Sequence, residues 1–373
     1  MIDQTGVNII VGFTAPIVVG GIAWVGVYES VVSGKFKLQK HDIRKTLDVS
    51  KVQIKDHEKV FEKVQRVHKE ENKEFMEHLN KYEDFLNSKP HINKEFYNKN
   101  ISEVTIMYYD NKTQKKYNQG KTTTSASFDV ILGKLYIRLM RGKYIKNIYH
   151  ELSHLASYFK KGDIAYHGFR QMDTNTGYSI GVGINEGFTE VINRTYFEKD
   201  SDSYEVAYTA VERLSKIIGL EKIETLYFNA DLKGLVDEIM KCGVSREEVY
   251  KFIINLDLYY KIDYEYKKNS KYTINAYIKC EDELNKFITK LYVSKKTIDN
   301  PTISDSDLKN DAIDFTAGYF FRSVTVGSGK KYPLSIRGKK FDITTNEQMK
   351  KYIDDAIDEV KHKDVAWKKM YIK

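Results

Sequence analysis

The chain has 373 residues, of which 41% are hydrophobic and 30% charged, with only 4 prolines, and this composition excludes a disordered or fibrous protein. The net charge of +8 is spread along the sequence, which favours a solvated surface over a phosphate-binding patch, so no nucleic-acid partner is expected. The two cysteines, Cys242 and Cys280, lie far apart and exclude both a disulfide framework and a cysteine-ligated zinc site.

The first predicted element is an apolar run over residues 7–28, within a stretch that has no charged side chain. As a helix it is long enough to cross roughly 30 Å of hydrocarbon, so residues 1–34 are predicted to be a transmembrane anchor in a lipid bilayer. A cleavable signal peptide fits less well because no basic residue precedes the run, and a buried helix or hairpin is the alternative. Basic residues follow the run, so the positive-inside rule predicts a single-pass protein whose body faces the cytoplasm. These basic residues are Lys35, Lys37, Lys40, Arg44 and Lys45.

Residues 35–95 are predicted to form a juxtamembrane helical stalk. The stretch 57–86 is rich in Glu and Lys and carries apolar residues at helical spacing. Several heptad seam positions are polar, among them His68 and Glu71, so a stalk or docking helix is favoured over a coiled coil.

A β-rich section follows the stalk. Residues 104–109, 127–132 and 134–139 alternate or cluster β-branched and aromatic side chains, and turn residues separate them. We therefore expect two or three strands that lead into the next helix.

That helix, predicted over residues 143–160, carries the sequence HELSH at positions 150–154. Its apolar residues form one stripe, whereas His150 and His154 lie roughly 40° apart on the other side, with Glu151 beside them. Two imidazoles one turn apart can ligate a single zinc ion. Two solvated surface histidines, or a hydrogen-bonded core pair, are the alternatives.

A second acidic helix begins with the sequence NEGFTE, at residues 185–190. Glu186 and Glu190 lie one turn apart on one face, which is costly unless a cation or a donor lies between them. One carboxylate could ligate the metal while the other accepts from the free ring N–H of a ligating histidine. An ordinary acidic helix N-terminus is the alternative.

Helices continue after this motif, with predictions over 186–197, 204–218, 232–241 and 245–256 and a further stretch that reaches Leu291. A polar run over 294–307 that includes Pro301 predicts a boundary. Residues 301–373 then form a small α+β C-terminal region, with a strand near 332–343 and an amphipathic helix over 346–360.

HELSH followed by NEGFTE resembles the gluzincin group of zinc metallopeptidases. The resemblance implies His150, His154 and Glu186 as zinc ligands, Glu151 as general base, and Glu190 as the acid behind a ligating histidine, with Asn185 next to the third ligand. It also implies an α+β, zincin-like metallopeptidase domain over residues 96–295, with a small N-terminal β-sheet lobe, an active-site helix and a mostly helical C-terminal lobe. The metzincin pattern is absent, because Ser157 and Lys160 stand where it needs Gly and a third His.

Zinc-activated water would attack the carbonyl of a peptide or protein substrate, and the developing oxyanion needs a donor. Tyr178 and His167 are the candidates for this donor, and Tyr178 is favoured because gluzincins often recruit a residue from this region. The Gly-rich run 177–187 lacks the GK[ST] of a phosphate loop and predicts a tight approach to the cleft.

Two other classes of function stay open. One is a catalytically silent, membrane-tethered regulatory or interaction protein with a zincin fold, and the intact Glu151 argues against it because a degenerate site loses its base freely. The other is nucleic-acid binding through Lys and Tyr surfaces, for which the sequence has no recognisable motif.

Overall fold

The helices and strands described below come from a computed structural model of the chain. It describes residues 69–109, 125–131, 133–140, 144, 147–176, 178–198, 204–266, 271–317, 334–336, 339–341 and 346–363. The predicted membrane span over 7–28 and most of the predicted stalk lie outside these ranges. None of the described helices combines the length and the apolarity that a membrane crossing needs.

The described residues form an α+β structure in which helices predominate. The helices are α1 (Lys69–Asn87), α2 (Glu95–Glu103), α3 (Ile148–Ala156), α4 (Val182–Phe197), α5 (Glu205–Ile218), α6 (Leu220–Phe228), α7 (Leu232–Met240), α8 (Arg246–Tyr266), α9 (Lys271–Asp299), α10 (Asp305–Ala317) and α11 (Asn346–Ile357), which a π-helical turn over Asp358–Lys363 extends. The strands are β1 (Thr105–Tyr109), β2 (Ala126–Ile131), β3 (Lys134–Met140), β4 (Tyr158–Lys161), β5 (Ile164–His167), β6 (Arg170–Asp173), β7 (Ser179–Ile180), β8 (Leu334–Ile336) and β9 (Lys339–Phe341).

Three small sheets accompany the helices. The first has the order β1-β3-β2, with β1 parallel to β3 and β2 antiparallel to β3. The second is an antiparallel meander of β4, β5, β6 and β7, and the third is the hairpin of β8 and β9. Strand β3 alternates as a half-buried strand does, with Leu135, Ile137 and Leu139 turned into the core. Because the strand order is β1-β3-β2, β2 lies at one edge of the first sheet as far as the structure describes it.

The main hydrophobic core runs from α1 through α9 and surrounds α3 and α4. Every residue of α3 is buried, and α4 packs between α3, α5 and α8. Two helices that carry acidic and imidazole side chains thus lie at the centre of the molecule rather than on its surface. A second, smaller core joins the end of α9 to α10 and α11.

Helix α1, which lies at the end of the predicted stalk, packs on the helices that follow it. Helix α1 contributes four side chains to the main core, Phe75, Leu79, Tyr82 and Leu86. The described part of the segment before residue 95 therefore packs with the rest of the main core. The spacing of these residues makes one apolar stripe, and that stripe packs on α3 rather than on a second copy of itself.

Two boundaries differ from the predicted ones. The predicted helix over 143–160 ends at Ala156, because Tyr158 to Lys161 pair as β4 with β5 and Phe159 stacks on Tyr166 at 4.5 Å. The predicted boundary between 295 and 301 falls inside and just after α9, which continues to Asp299. Helix α2, helix α6 and the meander β4–β7 had no counterpart among the predicted elements.

Candidate metal centre

Helix α3 presents the two histidines of HELSH to one point. His150 and His154 are one turn apart, both are buried, and their Nε2 atoms lie 2.9 Å from each other. The ring planes meet nearly at right angles, with centroids 4.6 Å apart. The two nitrogens therefore converge on a common centre, which solvated surface histidines would not do.

Helix α4 brings the second motif to the same place, and its first turn is fixed by α8. The Asp257 carboxylate accepts the backbone N–H groups of Gly181 at 2.8 Å and Gly183 at 2.7 Å. Gly181 is left-handed, with a φ of 81°, and a methyl group there would lie 2.2 Å from the carbonyl oxygen of Phe169. Burial raises the pKa of Asp257 to about 7, against the lowering effect of the N–H donors. The start of α4 is thus held on a buried carboxyl group.

Small residues let α4 lie close to its neighbours. A Cβ on Gly187 would be 2.5 Å from the carbonyl oxygen of Ala207 on α5, and one on Gly183 would be 2.4 Å from the backbone of Leu256 on α8. Since neither neighbour can yield without moving a helix, glycine is required at both positions. This close packing sets the depth at which the α4 carboxylates meet α3.

Glu186 completes the group. Its Oε2 atom lies 3.1 Å from Nε2 of His150 and 3.5 Å from Nε2 of His154, and the three residues form the one potential metal-holding group among the described residues. A tetrahedral zinc ion with bonds of about 2.0–2.1 Å keeps its ligands about 3.3 Å apart. The three observed separations, 2.9, 3.1 and 3.5 Å, bracket that value. The donor set therefore fits zinc and supplies three protein ligands.

Charge within the group is divided between one imidazole and one carboxylate. Burial lowers the pKa of His150, but its hydrogen bonds to Glu186 and Glu190 outweigh this effect and hold the pKa well above its ordinary value. Burial raises the pKa of Glu186, but the two imidazoles outweigh it and hold that pKa well below its ordinary value. Both pKa shifts favour a protonated His150 beside an ionised Glu186.

Glu190 and Asn185 orient the two imidazoles from behind. Oε1 of Glu190 lies 2.8 Å from Nδ1 of His150, which leaves Nε2 of that ring for the metal when Nδ1 carries the hydrogen. The other oxygen of Glu190 lies 3.5 Å from Nε of Arg194. The Asn185 amide nitrogen lies 3.4 Å from Nδ1 of His154, and its oxygen accepts the N–H of Phe169 at 3.1 Å.

Glu151 lies between the two histidines in sequence and faces the first sheet. Its Oε2 atom accepts the backbone N–H of Phe128 at 2.6 Å, on the side of β2 that has no strand partner among the described residues. Burial raises the pKa of Glu151, and the nearby imidazoles oppose that shift. A carboxylate with a raised pKa beside a metal site suits proton transfer near neutral pH.

The two predicted oxyanion donors occupy different settings. His167 ends β5, and its ring centroid lies 4.3 Å from that of His154 and 5.3 Å from that of Phe128. Its Nε2 atom is buried without a hydrogen-bond partner, and burial holds its pKa well below the ordinary value. Tyr178 lies half-buried against the core, with its carbonyl oxygen bonded to the N–H of Asp173.

Two residues beside the centre were not predicted. The ring of Tyr204 stacks on His150, with centroids 5.7 Å apart and planes 19° apart, and it stacks again on Tyr260 at the same distance. Tyr204 is left-handed, with a φ of 62°, which is a strained conformation for a tyrosine. Arg170 opens β6, directly opposite His167 in the hairpin. No local sequence pattern marks either residue, since each reaches the centre only through tertiary packing.

Comparison of the chain with models of protein families, with curated proteins and with solved structures finds no match. The resemblance to gluzincins thus rests on the two short motifs and on the geometry of the residues they contain. The zincin-like fold stays a prediction, as does the role of each residue at the centre.

Proposed function

We propose that this protein is a zinc metallopeptidase that uses Glu151 as its general base. The observation that supports the proposal most directly is the convergence of His150, His154 and Glu186 on one buried point, with Glu151 next to them. Three protein ligands leave a fourth tetrahedral position open, which is the pattern of catalytic rather than structural zinc sites.

A zinc ion at this centre would supply a Lewis acid and lower the pKa of bound water to about 7. Glu151 would take the proton of an attacking water and deliver it to the leaving amine. Its bond to the N–H of Phe128 fixes the carboxylate against β2, and Glu190 fixes the ring of His150. The protein thus contributes orientation and a low-dielectric setting to the reaction.

The edge of β2 that has no strand partner among the described residues suits an extended peptide. An added strand would bond to the backbone of β2 and pass Glu151 at the level of Phe128. The Tyr204 hydroxyl has no hydrogen-bond partner within the described part of the chain, and it lies near the charges of Glu186 and Glu151. We assign to the Tyr204 hydroxyl, in addition to the hydroxyl of Tyr178, the role of donor to the carbonyl oxygen of the scissile bond.

The test is zinc content combined with cleavage of a mixed peptide library by the full-length protein. We expect about one zinc per chain and cleavage that disappears in Glu151→Gln but persists in Glu103→Gln, an exposed glutamate at the end of α2. Zinc binding with no cleavage above the Glu151→Gln level would refute the peptidase and favour a silent, membrane-tethered regulatory protein. Absence of zinc would refute the metal centre itself.

We also propose that residues 7–28 anchor this activity at the cytoplasmic face of a membrane, on the basis of the apolar run and the basic residues after it. Single cysteines introduced as Thr5→Cys and Ser33→Cys test the orientation in intact cells. An impermeant maleimide should label the first and not the second. The reverse pattern would place the body of the protein outside.

A further inference from the structure

The hairpin of β5 and β6 carries two side-chain nitrogen atoms that have no hydrogen-bond partner among the described residues. Nε2 of His167 and Nε of Arg170 are buried, and neither has a hydrogen-bond acceptor. The guanidinium makes its single side-chain hydrogen bond from Nη2 to the weak acceptor Sδ of Met172, at 3.5 Å. Arg170 is half-buried, but its Nε atom is fully buried, and a buried charged donor that lacks an acceptor among the described residues is costly unless an anion pairs with it.

The two groups face the metal centre. His167 and Arg170 are directly paired across the hairpin, and paired residues in antiparallel strands project their side chains from the same face. On that face the ring of His167 packs on His154 and on Phe128 of the edge strand. Arg170 therefore projects from the same face of the hairpin that packs against His154 and Phe128.

The carboxylates near Arg170 already have other hydrogen-bond partners. Arg170 feels the charges of Glu186 and Asp257, yet it forms an ion pair with neither of them. Glu186 is bound between the two imidazoles, and Asp257 accepts the N–H groups at the start of α4. The positive charge of Arg170 can therefore pair with an anionic group that binds beside the metal centre.

The hairpin turn is held in place by the ligand helix. A Cβ on Gly168 would lie 2.3 Å from Oδ1 of Asn185, and the N–H of Phe169 donates to that same oxygen. Asn185 immediately precedes the ligand Glu186. The position of the hairpin relative to the metal centre is therefore fixed by Asn185, the residue next to Glu186.

We propose that Arg170 and His167 form a carboxylate-binding subsite, and that the peptide bound at this centre carries a carboxylate next to the metal. The carboxylate belongs to an Asp or Glu side chain or to the C-terminus of the peptide. The forked guanidinium of Arg170 can donate to both carboxylate oxygens, and the buried Nε2 atom of His167 offers a further hydrogen-bonding position beside it. This inference names the substrate class of the proposed peptidase. The interpretation of the bound peptide as a substrate rests on the proposed function, whereas the binding of a carboxylate does not.

The test measures binding rather than cleavage. The full-length, zinc-loaded protein with Glu151→Gln is immobilised and exposed to a library of short peptides, each made with a free and an amidated C-terminus, and the retained peptides are identified by mass spectrometry. We expect enrichment of peptides with Asp or Glu, or of those with a free C-terminus, and the two arms distinguish these sources. Adding Arg170→Gln should lower retention of such peptides about 10- to 100-fold, whereas Arg170→Lys should lower it less.

Arg246→Gln is the matched control, because Arg246 is half-exposed and pairs with Asp237 of α7. Arg246 lies at the start of α8, about 16 Å along that helix from Asp257. It should leave retention unchanged. The inference is overturned if the retained peptides show no preference for a carboxylate, if Arg170→Gln keeps that preference, or if no peptide is retained. It is also overturned if Arg170→Gln lowers the thermal midpoint and the zinc content, because Arg170 would then be structural. Cleavage is not measured, so a silent protein could still support the subsite.

Discussion

Replacement of Glu190 tests how far the metal centre depends on the residue behind its ligand. The carboxylate is 1% exposed and lies 2.8 Å from Nδ1 of His150. Glu190→Gln can keep an acceptor oxygen at that position while it removes the negative charge. Glu190→Ala removes both the acceptor and the charge, and it also deprives Arg194 of its acidic neighbour.

The size of the effect follows from the kind of contact. A buried hydrogen bond with a charged partner contributes about 1.5–3 kcal/mol, and about 1.4 kcal/mol corresponds to a tenfold change in affinity. We therefore expect zinc affinity to fall about tenfold in Glu190→Gln and about a hundredfold in Glu190→Ala, the range known for residues that support a ligating histidine. Glu186→Ala removes a ligand and should cost more than either.

The assay is a competition titration of each variant against a chromophoric zinc chelator. Glu198→Gln is the control, because Glu198 is exposed at the end of the same helix. An unchanged affinity in Glu190→Ala would refute the proposed support of His150. A larger loss in Glu190→Ala than in Glu186→Ala would show that Glu190 is itself the ligand.

Three further predictions concern protonation, the unpredicted tyrosine and the start of α4. Zinc affinity should rise about tenfold per pH unit at pH values below the raised pKa of His150, because that imidazole must lose a proton on binding, whereas Glu186, with its lowered pKa, is already ionised. Calorimetry in two buffers of different ionisation enthalpy counts that proton, and an affinity independent of pH would contradict the shift. Tyr204→Phe keeps the ring stack on His150 and removes the hydroxyl, so kcat on an identified peptide should fall about 10²-fold with zinc affinity unchanged. A parallel loss of zinc in that variant would assign Tyr204 to holding the ring instead. Asp257→Ala leaves two buried N–H groups unpaired, and urea titration should show a loss of about 1–3 kcal/mol in unfolding free energy. Unchanged stability would mean that water replaces the carboxylate.

The sequence was most informative where local periodicity decides the structure. The HELSH segment and the NEGFTE segment each carry their apolar residues at helical spacing, so both helices could be predicted, although α4 begins at Val182, ahead of the predicted start. The spacing of His150 and His154 also places them on one face regardless of what surrounds them. Which of Glu186 and Glu190 approaches both imidazoles was open from spacing alone, because it depends on the depth of α4 against α3.

That depth is a tertiary property. It is set by Gly183 and Gly187, which let the helix approach α8 and α5, and by Asp257, which comes from more than sixty residues away in sequence. The packing partner of helix α1 could not be predicted for a related reason, since its apolar stripe fits α3, which lies about seventy residues further along the chain. His78 lies 2.7 Å from the Tyr149 hydroxyl, and the Tyr82 hydroxyl donates to Ser153, contacts that no heptad pattern encodes.

The β4–β7 meander shows most clearly why motifs identify ligands but not their surroundings. Its strands are two to four residues long, too short for an alternating pattern to stand out from a loop. The hairpin nevertheless brings His167 against His154, one of the proposed ligands, and Arg170 to the same face, because Asn185 accepts a hydrogen bond from the turn of the hairpin. A residue inside the recognisable motif thus positions two residues outside it. If substrate choice depends on this hairpin, it can change with the short strands while HELSH and NEGFTE stay the same, and for that reason the two motifs predict a reaction without predicting a substrate.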